Sequence, residues 1–320
     1  MLIVMNTFGD KWSFTSFGES HGKAIGGVLD GVPAGLRIDL EMIREELARR
    51  AGKGQVGASV RAQNEPDEVE WLSGVVTSER MNELTNERVS EWVTLGTPIG
   101  FIIRNKDARP EDYEWLRHTY RVGHADKVYE QKYGLRDWRG GGRASARETA
   151  ARVVAGCIAK QELQAKGIAI EARLVQVGAE TDETKFAETI AAYQREGDSI
   201  GGIIECRIQG LPVGVGEPIF NKLQAELAFA VMSINACKGF EYGTGFGGVT
   251  ESGSAINGIS GGIAGGISDG TEVMFRCVFK PTPSTPKAGV KGRHDACVAT
   301  RAVPVVEAMT ALTLVNLLNR

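Results

Sequence analysis

Cysteine is scarce in this chain: five residues in 320, an odd number, scattered without the spacings that hold a metal or build a disulfide framework. They read as buried thiols in a reducing compartment, so a cytoplasmic protein is expected. Positive charge is not in excess. Lys plus Arg number 37 against 40 Asp plus Glu, giving a net charge of −3 and a pI near 5.9. That argues against a nucleic-acid partner while leaving room for a local basic pocket. No apolar run is read as approaching a membrane span, and the opening MLIVMN is too short for a signal peptide, so no membrane partner is expected. Linker-like runs of Pro, Ser or charge are missing, and residues 1–320 are expected to form a single domain. The Ser-His adjacency of GESHG, although it has the letters G-x-S-x-G, is not read as a hydrolase elbow. No strand–GxGxxG–helix unit with a trailing acid supports NAD-type binding. What the chain has in plenty is glycine, 41 residues gathered in loops such as GGGR and GGIAGGISDG.

The stretch from Arg121 to Thr149, RVGHADKVYEQKYGLRDWRGGGRASARET, joins a glycine-rich turn to a helix start. Ser145 and Glu148 have the S-x-x-E spacing of a capping box. Behind them Ala150, Val153, Val154, Cys157 and Ile158 recur at helical spacing and give the helix a face to bury. Gly140, Gly141 and Gly142 leave the backbone bare before the helix's N–H groups, and Arg139, Arg143 and Arg147 flank it. A phosphate or similar anion is expected there. Two blander readings compete: a solvated surface turn, or a fragment of an RGG-type nucleic-acid segment, although only one copy is present. His124, upstream in GHAD, adds an imidazole.

In FTSFGESHGKAIGGVLDGVPAGLRIDL, short strands flank a loop of Gly18, Glu19, Ser20, His21 and Gly22. Its histidine is either a positioned proton donor or merely exposed in a turn. Asp39 is a good N-cap for a helix ending in Arg49 and Arg50. Those cations suit a helix C-terminus; with Lys53 they are equally suited to cradling an acidic substrate. Elsewhere VSEWVTLGTPIGF reads as strands about a TP turn, SERMNELTNERV as a short polar helix, and IAIEARLVQVG and GGIIECRIQGL as half-buried strands. PVVEAMTALTLVNLL reads as a helix apolar nearly all round, buried between layers or at an interface.

GESHG, RVGHAD with YEQKYG, and RGGGRASARET together resemble the chorismate synthase family. The likeness continues in order through GGIIECRIQGLPVGVGEPIFNKLQAELAFAVMSINACKGFEYGTGF, GGISDG, KPTPST and GRHDACVATRAVPVVEAMTALTLV. It implies an α+β fold, a single-domain β-α-β sandwich with helices between two antiparallel sheets, assembled as a homotetramer. It also implies a lyase of the shikimate pathway, which serves aromatic amino-acid biosynthesis. The substrate would be 5-enolpyruvylshikimate 3-phosphate, losing phosphate and a ring proton to give chorismate. Reduced FMN is required although the reaction has no net redox change. Nothing resembles an added reductase domain, so an external flavin reductase or reductant is expected as a partner.

By the same resemblance His21 donates a proton to the leaving phosphate, His124 protonates or polarises the reduced flavin near its N1–O2 edge, and Asp295 helps flavin N5 take up the substrate proton. His118 and His294 match no catalytic role and are left as structural. Arg143, Ala144 and Ser145 match the flavin-binding turn, and Asn235 and Ala236, after a helix beginning near Asn221, another flavin contact. Gly265 matches a close-approach glycine where a side chain would clash. Lys280, Pro281, Thr282, Pro283 and Ser284 match a flavin loop usually read KPTSS, with Pro283 a departure, and Arg293 matches a further flavin contact. Arg49, Arg50, Arg121 and Arg147 are the substrate-side candidates, since the substrate carries a phosphate and two carboxylates. The chain departs from the family after Arg50, so Arg50, Lys53 and Arg61 compete for one role. It is also short between Phe246 and Gly261, where a segment that would help cover the flavin is missing.

Overall fold

The computed structural model describes residues 5–81, 88–254, 260–290 and 294–320. Two antiparallel sheets enclose a layer of helices. The first sheet contains β1 (Thr7–Phe8), β2 (Ser13–Phe17), β3 (Ala24–Asp30), β5 (Val69–Trp71) and β8 (Ile99–Arg104), in the order β1-β2-β3-β8-β5. The second contains β9 (Ala169–Val177), β10 (Gly202–Gln209), β11 (Cys237–Tyr242) and β14 (Val273–Phe279), in the order β11-β14-β10-β9. Smaller units are β4 (Arg37–Ile38), β6 (Val75–Met81) and β7 (Arg88–Thr94) in the order β4-β7-β6, and the hairpin of β12 (Ile263–Ala264) with β13 (Ile267–Ser268). The helices are α1 (Leu40–Ala51), α2 (Val60–Asn64), α3 (Asp126–Tyr133), α4 (Thr149–Ala165), α5 (Phe186–Arg195), α6 (Leu223–Met232) and α7 (Ala299–Leu318).

Alternation decides which face of each strand is buried. Ile99, Phe101 and Ile103 of β8, and Ile204, Cys206 and Ile208 of β10, all point inward, each large apolar side chain contributing roughly 1.5–3 kcal/mol by leaving water. Between the sheets α4 lies along α7; α4 also meets β2 and β3, and α7 meets β9 and β10. Their close approach needs Gly156, where a β-carbon would fall 2.3 Å from Ala308 Cβ. All five cysteines are buried, unbridged thiols.

α7 corrects one expectation. This 20-residue helix contains an 18-residue stretch of mean hydropathy 1.4 and is long and apolar enough to cross a membrane by length and composition. It is instead the central core helix, with Glu307 paired to Arg49 and Lys160 inside the protein.

The strands about the TP turn form, but β7 pairs with β6 while β8 pairs with β3 and β5, so the turn carries the chain from one sheet to another. The polar helix expected over SERMNELTNERV is contradicted at both ends. Ser78 to Met81 belong to β6, paired with β7 from Arg88, and residues 82–87 lie outside the described residues. Cross-strand pairing overrides a weak local helix preference there.

Candidate active site

His21 follows β2 in a tight loop and is 4% exposed. Ser20 Oγ lies 2.9 Å from its Nδ1. Tyr113, from a 3-10 turn at Pro110–Arg117, meets the ring edge-on with centroids 4.8 Å apart. Arg61 Nη1 stands 3.3 Å from both ring nitrogens, so the guanidinium lies over the ring face and not in its plane. A second Arg61 nitrogen donates to the Ser20 carbonyl. The imidazole is thus fixed on several sides and is not a loosely exposed turn residue.

His124 is held by a different device. Its Nδ1 is 2.8 Å from Asp126 Oδ1, and Arg121 donates to the same carboxylate through Nε and Nη2, both at 2.9 Å. Burial raises the Asp126 pKa, but hydrogen bonds and charge from Arg121 and His124 outweigh it and hold the carboxyl well below its usual range. A charged Asp126 fixes the proton on Nδ1 and leaves Nε2 as the nitrogen that can exchange a proton with a ligand.

The glycine turn runs between the two histidines. A β-carbon on Gly140 would lie 2.1 Å from the His21 ring, and one on Gly141 would lie 2.8 Å from His124 Cε1. Both glycines have positive φ, +63° and +90°. The expected row of free amides is largely spent inside the turn. Gly142, Ala144 and Ser145 donate to the carbonyls of Arg139, Gly141 and Gly142. The helix start also differs from a capping box. Ser145 Oγ accepts from Arg147 N at 3.3 Å across a 3-10 turn, while Glu148 pairs with Arg152 one helical turn on, and α4 begins only at Thr149.

These groups converge on a cavity of about 380 Å³ that also receives Arg50, Arg121, Ala144, Ser145, Arg147, Asn235, Ala236, Lys280, Thr282, Pro283, Ser284 and Asp295. Arg50, 1% exposed, donates to Asp67, Thr149 Oγ1 and the Ala146 carbonyl. Arg147 pairs with the other oxygen of Asp67 and donates to Asn105. Burial, then repulsion from Arg301, push the Arg50 guanidinium pKa down against the pull of Asp67, with Arg147 adding to the push. Positive charge concentrated in this way favours an anionic ligand. Asp295 accepts from Ser59 N at 2.8 Å and from Arg301 Nη1 at 2.7 and 2.8 Å.

Several expected residues lie elsewhere. Arg49, one step along α1 from Arg50, is turned by helical geometry into an ion network with Glu46 and Glu307. Arg143 does not line the cavity. Its guanidinium donates to Ser16 Oγ and to the carbonyls of Ser16 and Gly18, tying the glycine turn to the end of β2. Pro281 packs toward Gly201. At Gly265 a β-carbon would meet no protein atom within 4 Å, and its φ of +64° favours glycine. Arg293 lies outside the described residues.

Placement narrows the competition after Arg50 to two residues. Arg50 and Arg61 both line the cavity, whereas Lys53 is exposed on another face beside Glu45 and Glu68. His294, left as structural, is also on the cavity wall, as are Tyr113 and Arg301. Sequence reasoning missed Tyr113 and Arg301 because a lone aromatic or a helix-borne arginine carries no local signal. His118 is exposed, away from the cavity.

Asn235 Oδ1 is buried and finds no donor among the described residues, while its Nδ2 donates to the Ala144 carbonyl at 3.0 Å. Lys280 Nζ reaches the Gly123 carbonyl at 3.1 Å beside His124. An orphan acceptor that suits a donor N–H, beside a lysine that suits an anionic edge, fits a flat, anionic ring system such as a flavin.

A family model described as chorismate synthase matches residues 12–318. The chain is 44% identical over 359 aligned positions to the chorismate synthase of Christiangramia forsetii, covering 97% of this chain and 96% of that protein. It is 42% identical over 367 positions to that of Phocaeicola vulgatus, covering 98% and 97%. Both alignments are longer than this chain, so the relatives carry residues with no counterpart here. A solved structure titled Crystal Structure of Chorismate Synthase superposes with a TM-score of 0.74 at 28% identity, covering 97% of this chain and 92% of that one. Fold, family match and full-length relatives agree, and this chain belongs to the chorismate synthase family.

Proposed function

We propose that this chain eliminates phosphate and a ring proton from 5-enolpyruvylshikimate 3-phosphate to give chorismate, with reduced FMN bound in the same cavity. The observation that carries this reading is the placement of His21 and His124 against successive glycines of one turn, on a cavity that also holds Asp295. Reduced FMN, when bound, supplies electron density that the elimination needs without net redox change.

The protein's own groups then have separable tasks. Arg50, Arg121 and Arg147 bind the substrate's phosphate and carboxylates, their forks already oriented by Asp67 and Asp126. His21 gives a proton to the departing phosphate oxygen. His124 offers Nε2 to polarise the reduced flavin, and Asp295 carries the carboxylate that handles the ring proton. Ala144, Ser145, Asn235, Ala236, Lys280, Thr282, Pro283 and Ser284 form the flavin wall. Arg143 shapes that wall from behind.

The same reading takes reduced FMN from an outside reductase, in the cytoplasm, with the substrate as a small-molecule partner and neither nucleic acid nor membrane involved. One continuous core from Trp12 to Leu317 supports a single domain. Assembly as a homotetramer is supported by apolar side chains left in water, among them Phe220 at 82% and Phe246 at 85% exposure.

An anaerobic assay with chemically reduced FMN tests the proposal. Chorismate and phosphate are expected to appear in equal amounts, and neither without the reduced flavin. Binding of flavin and substrate with no chorismate would make this a non-catalytic relative.

A further inference from the structure

We propose that Arg301 is a positioning residue of this reaction: one fork that holds the Asp295 carboxylate and the Arg50 carbonyl together, keeping the proton-handling and anion-binding walls of the cavity in register. The inference rests on the chorismate-forming reading above.

Arg301 stands in the first turn of α7 and is 7% exposed. Nη1 donates to both oxygens of Asp295, at 2.7 and 2.8 Å, and Nε donates to the Arg50 carbonyl at 2.9 Å. Its aliphatic stem passes Gly52, the left-handed cap of α1, where a β-carbon would lie 3.1 Å from Arg301 Cγ. The glycine that ends α1 therefore also makes room for the arginine. Ala302, Val305 and Val306 bury α7 just beyond this turn, so the fork is anchored in the core.

Two more links pass through the same point. Asp295 accepts from Ser59 N, and Ser59 caps α2, the helix that lays Arg61 over His21. Arg50, held at its backbone, directs its guanidinium to Asp67, which also pairs with Arg147. Arg301 thus joins α1, α2, α7 and the Asp295 segment. Among the described residues, the charged or titratable groups around Asp295 are Arg301 from α7, Arg50 from α1, and Cys297 and His294 from its own segment. Lysine, a single point donor, spans the carboxylate or the carbonyl but not both with fork geometry.

The test compares Arg301→Gln, Arg301→Lys, Asp295→Ala and the Arg301→Gln/Asp295→Ala double variant under anaerobic turnover with reduced FMN. Hydrogen exchange at the Ser59 amide is followed alongside. Arg301→Gln is expected to lower kcat about a hundredfold with KM changed less than about threefold, as displacement of a catalytic group by about 1 Å does. Arg301→Lys should recover part of that loss. In the Asp295→Ala background the Arg301→Gln step should cost less than about threefold, because coupled residues are not additive. Ser59 exchange should quicken in Arg301→Gln.

Parental kcat in Arg301→Gln, a rise in KM alone, or independent multiplication of the two losses would overturn the proposal. If Arg301→Gln does not fold, the Arg301→Lys kcat and Ser59 exchange decide in the same directions. If the parent makes no chorismate while Ser59 exchange still responds to Arg301, the fork is upheld and the chorismate-forming reading is what fails.

Discussion

A β-carbon on Gly140 would stand 2.1 Å from the Cε1 and Nδ1 atoms of His21. The glycine turn therefore serves less as a row of exposed amides than as space into which a catalytic ring fits. Gly140→Ala should push the ring off its position and strain a φ of +63°. It is expected to cut kcat roughly a hundredfold and to cost more than about 1 kcal/mol of stability. Turnover and thermal melts check both, and parental activity would show that the ring is not what this glycine protects.

His21→Ala and His124→Ala should each lower kcat roughly a hundredfold or more, the scale of lost acid–base assistance. Flavin fluorescence titrations should still report binding. A variant with full turnover has lost nothing catalytic, and that assignment goes.

Arg143 is placed otherwise than the motif suggests, while Ser145 keeps its capping role. Because Arg143 ties the turn to Ser16 and Gly18, Arg143→Ala should mainly destabilise the fold, by about 1.5–3 kcal/mol for a charge-assisted bond. Ligand binding should weaken only as the turn loosens. Ser145→Ala should cost about 1 kcal/mol as a lost cap. Parallel melts and flavin titrations separate the two, and an Arg143→Ala variant with parental stability and abolished binding would restore the direct-contact role.

Asp67 is shared by Arg50 and Arg147, all three nearly fully buried. Asp67→Asn leaves two guanidiniums uncompensated and should cost about 3–5 kcal/mol. Millimolar phosphate or substrate should return part of that loss by linkage. Melts with and without phosphate read it directly, and equal melting in both would mean that the arginines do not bind the anion.

The Asp126 carboxyl has its folded pKa held below the unfolded value of about 3.9. Its contribution is therefore complete above that value and is lost as pH falls toward the folded one. The stability gap between parent and Asp126→Asn should be constant near neutrality and narrow below about pH 4. Denaturant titrations across that range test the sign, and a gap that widens in acid would contradict it.

Much of the fold was legible because its signals are local. β10 alternates as GIIECRIQ suggests, α1 is capped by Asp39 as expected, and the apolar PVVEAMTALTLVNLL forms the core helix. SERM was misread because a polar run with fair helix propensity says nothing of the partner strand that claims it. In the site, residues within quoted motifs mostly reached the cavity. Arg49 and Arg143, which lie off its wall, are side chains whose direction depends on acids or carbonyls remote in sequence.

The sequence by itself determined that His21, His124 and Asp295 stand in glycine- or charge-bordered segments, that the chain is rich in flexible turns, and that a helix follows the GGG turn. Periodicity, caps and motif order are properties of neighbouring residues and need no third dimension. Only the tertiary structure decided that Gly140 and Gly141 make room for two rings, that Arg50 and not Arg49 faces the cavity, and that Arg301 links Asp295 to α1. Those outcomes follow from which charges must find partners once burial removes water, and those partners lie up to 258 residues apart in sequence.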